Sequence, residues 1–147
     1  MSTPLGQFTR LIERGFNSGD LTVLDEVVDP GCVEHQFERP GRPAPVVGTS
    51  GLVRIITELR SGAADFHLAI EDSSVSGDVV WARLRATGTD TGGQLGRPPT
   101  GRPFEITVID IARFADGRMV EHWGVPDRLG LLLQLGHFSS SPGPTST

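Results

Sequence analysis

Residues 110–125, DIARFADGRMVEHWGV, alternate apolar and polar side chains on either side of the break at Ala115-Asp116-Gly117. A period of two marks a half-buried β-strand, and glycine in a short loop supplies the positive φ that a tight hairpin needs. Two strands follow, Phe104 to Phe114 and Arg118 to Val125. On the first, Phe104, Ile106, Val108, Asp110, Ala112 and Phe114 share one face. On the second, Val120, His122 and Gly124 share a face, and Met119, Glu121, Trp123 and Val125 take the other. A face this apolar belongs against a core, and Asp110 is its one polar member.

The same period runs upstream. FHLAIED (66–72) sets Phe66, Leu68 and Ile70 against His67 and Glu71, and VVWARLRAT (79–87) sets Val80, Ala82, Leu84 and Ala86 against Trp81, Arg83 and Arg85. Gly77-Asp78 is the turn between them. GTDTGGQLGRPPTGR (88–102) reads as a wide hairpin connection; it lacks the lysine and the following helix of a phosphate-binding loop.

Before residue 63 the spacing is helical. Leu5, Phe8, Leu11, Ile12 and Phe16 form one stripe, ended by Asn17-Ser18-Gly19; Asp20 caps a short helix with Leu21, Leu24, Val27 and Val28, stopped at Asp29-Pro30-Gly31. Cys32 to Phe37 is a short β-like piece. ERPGRPAPVVG (38–48) is a Pro/Gly-rich surface loop. Thr49 or Ser50 caps a third helix carrying Leu52, Ile55, Ile56 and Leu59, closed by Gly62, and Asp127 caps a last turn of helix through RLGLLLQL. Helices followed by a four-strand meander predict an α+β fold, a curved antiparallel sheet with helices packed on its concave face. Residues 1–138 form one domain on this reading, and 139–147, SSSPGPTST after Phe138, a disordered tail.

Composition narrows the chemistry. The chain of 147 residues has a net charge of −5, a poor match to nucleic acid, and no stretch with the length and hydropathy of a membrane span or a signal peptide, so a cytoplasmic location is expected. It contains no lysine, which rules out Schiff-base chemistry, and no tyrosine, so no phenol serves an oxyanion. Acids and bases must be Asp, Glu, His or water. The single cysteine, Cys32, forbids an internal disulfide and reads as a small buried hydrophobe. No spacing suits a metal site, since Glu34 and His35 are adjacent and point to opposite faces of a strand; no metal or cofactor is expected.

A carboxylate on a core face requires a partner, a shifted pKa or a cavity. His122 on the adjacent strand is a candidate partner, with Gly124 beside it leaving empty volume. An Asp–His contact is as often a structural hydrogen bond as a site, and the glycine together with His35 beside the loop tips the reading toward a pocket. His67 and His137 receive no role. Trp123, on the opposite face, needs cover that the helices cannot give, and a second copy of the chain is the simplest lid.

The segments FNSGDLTVLDEVVDPGCVEHQ (16–36), GTDTGGQLGRPPTGR and DGRMVEHWGVPDRLGLLLQLG (116–136) resemble the SnoaL-like polyketide cyclases, within the nuclear-transport-factor-2-like group of cone-shaped α+β domains. The resemblance implies an apolar interior pocket, dimers through the outer sheet face, and ring closure of a polyketide without metal or organic cofactor. The family's acid/base aspartate falls at Gly124 and its assisting histidine at Asp110. The expected catalytic residues are therefore Asp110 as base, His122 as partner and acid, and His35 as a polar contact at the mouth, with Phe37, Ile56, Leu84, Ile106, Val108 and Gly124 lining the substrate site. A hydrophobic polyketide-like substrate would close by aldol chemistry or by pocket shape alone, including cycloaddition. The alternatives are an epoxide hydrolase or isomerase, which needs an arginine in the pocket where Arg83, Arg85 and Arg113 face outward, and a non-catalytic carrier of a hydrophobic metabolite.

Overall fold

The computed structural model describes residues 2–37 and 45–138. Most of the 38–48 loop, and the whole C-terminal tail, lie outside the described residues. The elements in chain order are α1 (Pro4–Arg10), continuing without a break into a π-helical segment (Leu11–Asn17), then α2 (Val23–Val27), β1 (Val28–Glu34), β2 (Val46–Val47), α3 (Ser50–Gly62), β3 (His67–Ser76), β4 (Val79–Thr89), β5 (Pro103–Ala115), β6 (Arg118–Pro126) and α4 (Arg128–Gln134).

One curved sheet has the order β2-β1-β6-β5-β4-β3. The meander β3–β6 is antiparallel as the alternation required, but the sheet has two further strands. Valine, a β-branched residue, starts β1 at Val28, so the chain leaves α2 straight into a strand through Asp29-Pro30-Gly31. β1 runs parallel to β6, an arrangement open to it because no hairpin joins the two: β2, α3 and the strands β3–β5 lie between them in sequence. Val46 and Val47, expected in an irregular loop, pair antiparallel with Glu34 and Val33.

The β5–β6 turn has both central residues, Asp116 and Gly117, at positive φ (50° and 76°), which matches the right-handed twist of the flanking strands. Three residues later the ladder slips. Arg113 pairs Glu121 while Phe114 pairs Met119, leaving Val120 as a bulge. The slip moves Met119 from the outer face expected by strict alternation to the core, where it is fully buried.

The concave face carries Leu84, Ala86, Ile106, Ala112 and Phe114, and against it pack Phe8, Leu11, Ile12 and Phe16 of the first helix with Leu52, Ile55 and Ile56 of α3, all buried. Each such large side chain contributes about 1.5–3 kcal/mol by leaving water. The long β4–β5 connection is held by Asp90, fully buried, which accepts from the backbone N–H groups of Gly93 (3.0 Å) and Thr100 (2.9 Å) and from the Thr100 hydroxyl (2.9 Å). A carboxylate at the loop's base thus closes it against the end of α3, whose Gly62 carbonyl accepts from Gly92 N–H.

Candidate active site

Asp110 stands mid-strand on the inner face of β5, opposite Ala82 on one neighbour and Gly124 on the other. Two small neighbours leave its side chain uncovered by the sheet. It is buried, and one oxygen, Oδ1, lies 3.6 Å from His122 Nε2, an ion-pair distance rather than a hydrogen bond. The other ring nitrogen, Nδ1, lies 2.7 Å and 2.9 Å from the two carboxylate oxygens of Glu34, and neither His122 nor Glu34 has appreciable contact with solvent. Glu34 reaches His122 because parallel pairing of β1 with β6 sets the two residues in register. Its Oε1 also accepts the Gln36 N–H at 2.8 Å.

The result is a row of three buried groups, Glu34, His122 and Asp110. Burial by itself would lower the pKa of His122, but the Asp110 charge, followed by contacts with both carboxylates, outweighs it and raises the imidazole to about 10. His122 is therefore an imidazolium at neutral pH.

Asp110 borders a cavity with about 150 Å³ of space open to water. Its walls are mainly apolar, including Phe37, Phe66, Phe104, Ile106, Val108 and Leu131, and its polar members besides Asp110 are Gln36, Glu58, Gln94 and Arg128. A space of this size holds about one ring. A larger molecule must extend outward past α3, α4 and the 90–102 loop, which supply the rest of the lining.

The structure brings together only part of the expected site. Asp110, Phe37, Ile106 and Val108 border the cavity. Ile56 and Leu84 do not: both are fully buried in the core between sheet and helices, so they support the pocket from behind. Gly124 faces inward, but Gln36 covers it, since a Cβ there would collide with Gln36 Oε1 and lie 3.1 Å from Asp110 Oδ1. His122 sits behind Asp110 and does not border the cavity, so the expected role of direct acid to substrate does not fit its position. His35 is on the outer face of the sheet rather than at the mouth; its ring stacks on Trp123 (centroids 4.7 Å apart, planes within 3°) and its Nε2 is 2.8 Å from Glu121. The strand alternation that turns Glu34 inward turns His35 outward.

Three residues of this arrangement, Glu34, Gln36 and Arg128, are absent from the sequence reading of the site. Glu34 was set aside because its neighbour His35 faces the other way, and its contact with His122 depends on a parallel pairing that has no local signature. Cys32 and Glu34, alternate members of a β-like stretch, held the only hint. Gln36 and Arg128 follow element ends, where periodicity is silent. Cys32 itself is inert: burial, and then the nearby Glu34 charge, push its thiol up to about 12. Arg83, Arg85 and Arg113 face outward as expected, paired with Glu71, Glu105, Asp78 and Glu121. Among the described residues no group of three His, Cys, Asp or Glu side chains is arranged to hold a metal ion, and no helix is long and apolar enough to cross a membrane.

Comparison with known proteins agrees with this geometry. The family model "SnoaL-like polyketide cyclase" matches residues 7–135. The chain is 31% identical over 150 aligned positions to aklanonic acid methyl ester cyclase DnrD of Streptomyces peucetius, covering 99% of this chain and 96% of the relative. It is 27% identical to the nogalonic acid methyl ester cyclase of Streptomyces nogalater, covering 82% of this chain and 89% of the relative. Among solved structures, wild-type IdmH of Streptomyces antibioticus, a candidate polyketide cyclase, superposes with a TM-score of 0.79 at 36% identity, covering 90% of this chain and 98% of that one. A six-stranded curved sheet, an apolar cavity with a buried carboxylate on its wall, and full-length similarity to named cyclases converge on one conclusion: this chain belongs to the SnoaL-like polyketide cyclase family.

Proposed function

We propose that the chain closes a ring in a polyketide ester by intramolecular aldol condensation without a cofactor, with Asp110 as the single proton carrier. The observation that carries this is the placement of Asp110: a buried carboxylate at the wall of an apolar cavity, with a charged imidazole behind it. In the resting enzyme the carboxylate takes a proton from the carbon α to a carbonyl. The C–H bond breaks, an Asp110 O–H bond forms, and the electron pair becomes an enolate. The enolate carbon attacks a second carbonyl of the same molecule. A C–C bond forms, the carbonyl π pair becomes an alkoxide, and that alkoxide recovers the proton from Asp110.

His122 and Glu34 act from behind. Glu34 fixes the ring through Nδ1 and turns Nε2–H toward Asp110, which orients the carboxylate and steadies its charge between proton transfers. Holding a flexible chain folded in the cavity contributes through effective molarity, so ring closure is shared between proton transfer and shape. The substrates named for the relatives, the methyl esters of aklanonic and nogalonic acids, set the chemical class. We further propose that the chain works as a homodimer through the outer sheet face, where Trp81, Ile109 and Val125 are exposed beside Ile111 and Trp123.

Turnover of aklanonic acid methyl ester by Asp110→Asn tests the reading. Loss of roughly a hundredfold to ten-thousandfold in kcat is expected. A variant that keeps most of its rate assigns closure to pocket shape, and absence of turnover in both forms with binding intact makes the protein a carrier. One observation favours a second reading: Arg128 borders the cavity, as opening of an epoxide by water requires. Label from ¹⁸O-water in the product would decide for it.

A further inference from the structure

Four polar residues at this cavity lie outside the acid–base row, Gln36, Glu58, Gln94 and Arg128, and of these Gln36 shares Gly124 with Asp110 as a neighbour. Its side chain borders the cavity beside Asp110, and its oxygen rests against Gly124, in the space that any larger residue at 124 would take. Among the described residues no hydrogen bond is made by either end of the carboxamide, although the side chain is half buried. The backbone, by contrast, is pinned: Gln36 N–H donates to Glu34 Oε1 at 2.8 Å, the same carboxylate that holds His122. One buried glutamate therefore sets the position of both the proton carrier's support and this amide.

The reaction makes an oxygen anion twice, first as enolate and then as alkoxide. A lone carboxylate cannot stabilise either, and His122 is screened from the cavity by Asp110. The chain has no lysine or tyrosine to serve, so the side-chain donors at the cavity are Gln36, Gln94 and Arg128, and of these Gln36 lies against Gly124 together with Asp110. A neutral amide is suited to this position because it donates without adding charge beside Asp110 or competing for its proton.

We propose that Gln36 is a catalytic residue whose side-chain N–H donates to the carbonyl oxygen of the substrate next to the carbon that Asp110 deprotonates, holding that oxygen as charge develops on it. Gly124 is its specificity partner. It is glycine because the amide must lie flat against its Cα to reach this place. The proposal rests on the assignment of Asp110 as base.

Gln36→Leu, Gly124→Ala and the double variant, assayed with aklanonic acid methyl ester, test it. Removing one oxyanion donor lowers kcat on the order of a hundredfold to a thousandfold. Gln36→Leu should show this loss with KM changed little, Gly124→Ala should show a similar loss because its Cβ displaces the amide, and the double variant should be no slower than Gln36→Leu. Undiminished kcat in Gln36→Leu, or multiplying losses in the double variant, overturns the proposal. The Asp110→Asn variant in the same assay reports separately on the base: full activity there, with Gln36→Leu impaired, refutes the base and leaves the amide's contribution standing.

A binding measurement decides independently of turnover. 2-Naphthol can donate its O–H to Asp110 and accept from Gln36, whereas naphthalene can do neither. Calorimetry should show wild type preferring naphthol at least about tenfold, a difference of about 1.4 kcal/mol. Gln36→Leu should lose most of that preference. An equal preference in Gln36→Leu and wild type, or none in wild type, removes the donor role, and near-ultraviolet circular dichroism of each variant separates these results from a collapsed fold.

Discussion

His122 makes the protein's stability a function of pH in a direction opposite to that of most carboxylate pairs. Burial alone would lower its pKa, but the charges and contacts of Asp110 and Glu34 outweigh that and raise it from 6.5 to about 10, so the folded chain holds a proton there that the unfolded chain has lost above pH 6.5. The contribution is complete below pH 6.5 and disappears as pH rises through 10. Between those limits one extra proton is bound on folding, and each pH unit costs about 1.4 kcal/mol of unfolding free energy. Cys32 adds a loss of the same sign once the unfolded thiol ionises, since its folded pKa is pushed up to about 12. The clean window is therefore pH 6.5 to 8.5, where His122 alone accounts for roughly 2–3 kcal/mol, a large share of the 5–15 kcal/mol typical of a domain. Urea denaturation across that window, in wild type and in His122→Gln, isolates the effect, because every other titrating group is common to both. Wild type should lose stability steadily and the variant much less. Glu34→Gln, which removes one of the two carboxylates, should end the decline at a lower pH. Equal slopes in wild type and His122→Gln would refute the charged-imidazole account.

The proposed dimer and the β4–β5 loop give further predictions. Ile109→Arg places a charge in the exposed apolar surface beside Val125, and sedimentation should show a monomer where wild type is a dimer; a wild-type monomer would remove the dimer proposal. Asp90→Ala takes away three hydrogen bonds at the base of the 90–102 loop and leaves part-buried donors unmet, at about 1 kcal/mol each. It should lower Tm and expose Arg97 or Arg102 to tryptic cleavage, and an unchanged Tm would show that the loop does not depend on this carboxylate.

Local pattern alone was sufficient for the meander, the two long helices and the inward placement of Asp110. Each depends on periods of two or 3.6 and on turn residues such as Asp116-Gly117, and these act between near neighbours in the chain. Tertiary structure decided the rest. The bulge at Val120 reverses Met119, and the parallel docking of β1 on β6 joins Glu34 to His122 across 88 positions of sequence. It also sends His35 outward to Trp123 and lays Gln36 over Gly124. Such pairings are chosen by the energy of a whole sheet closing on its core, and no single segment encodes them.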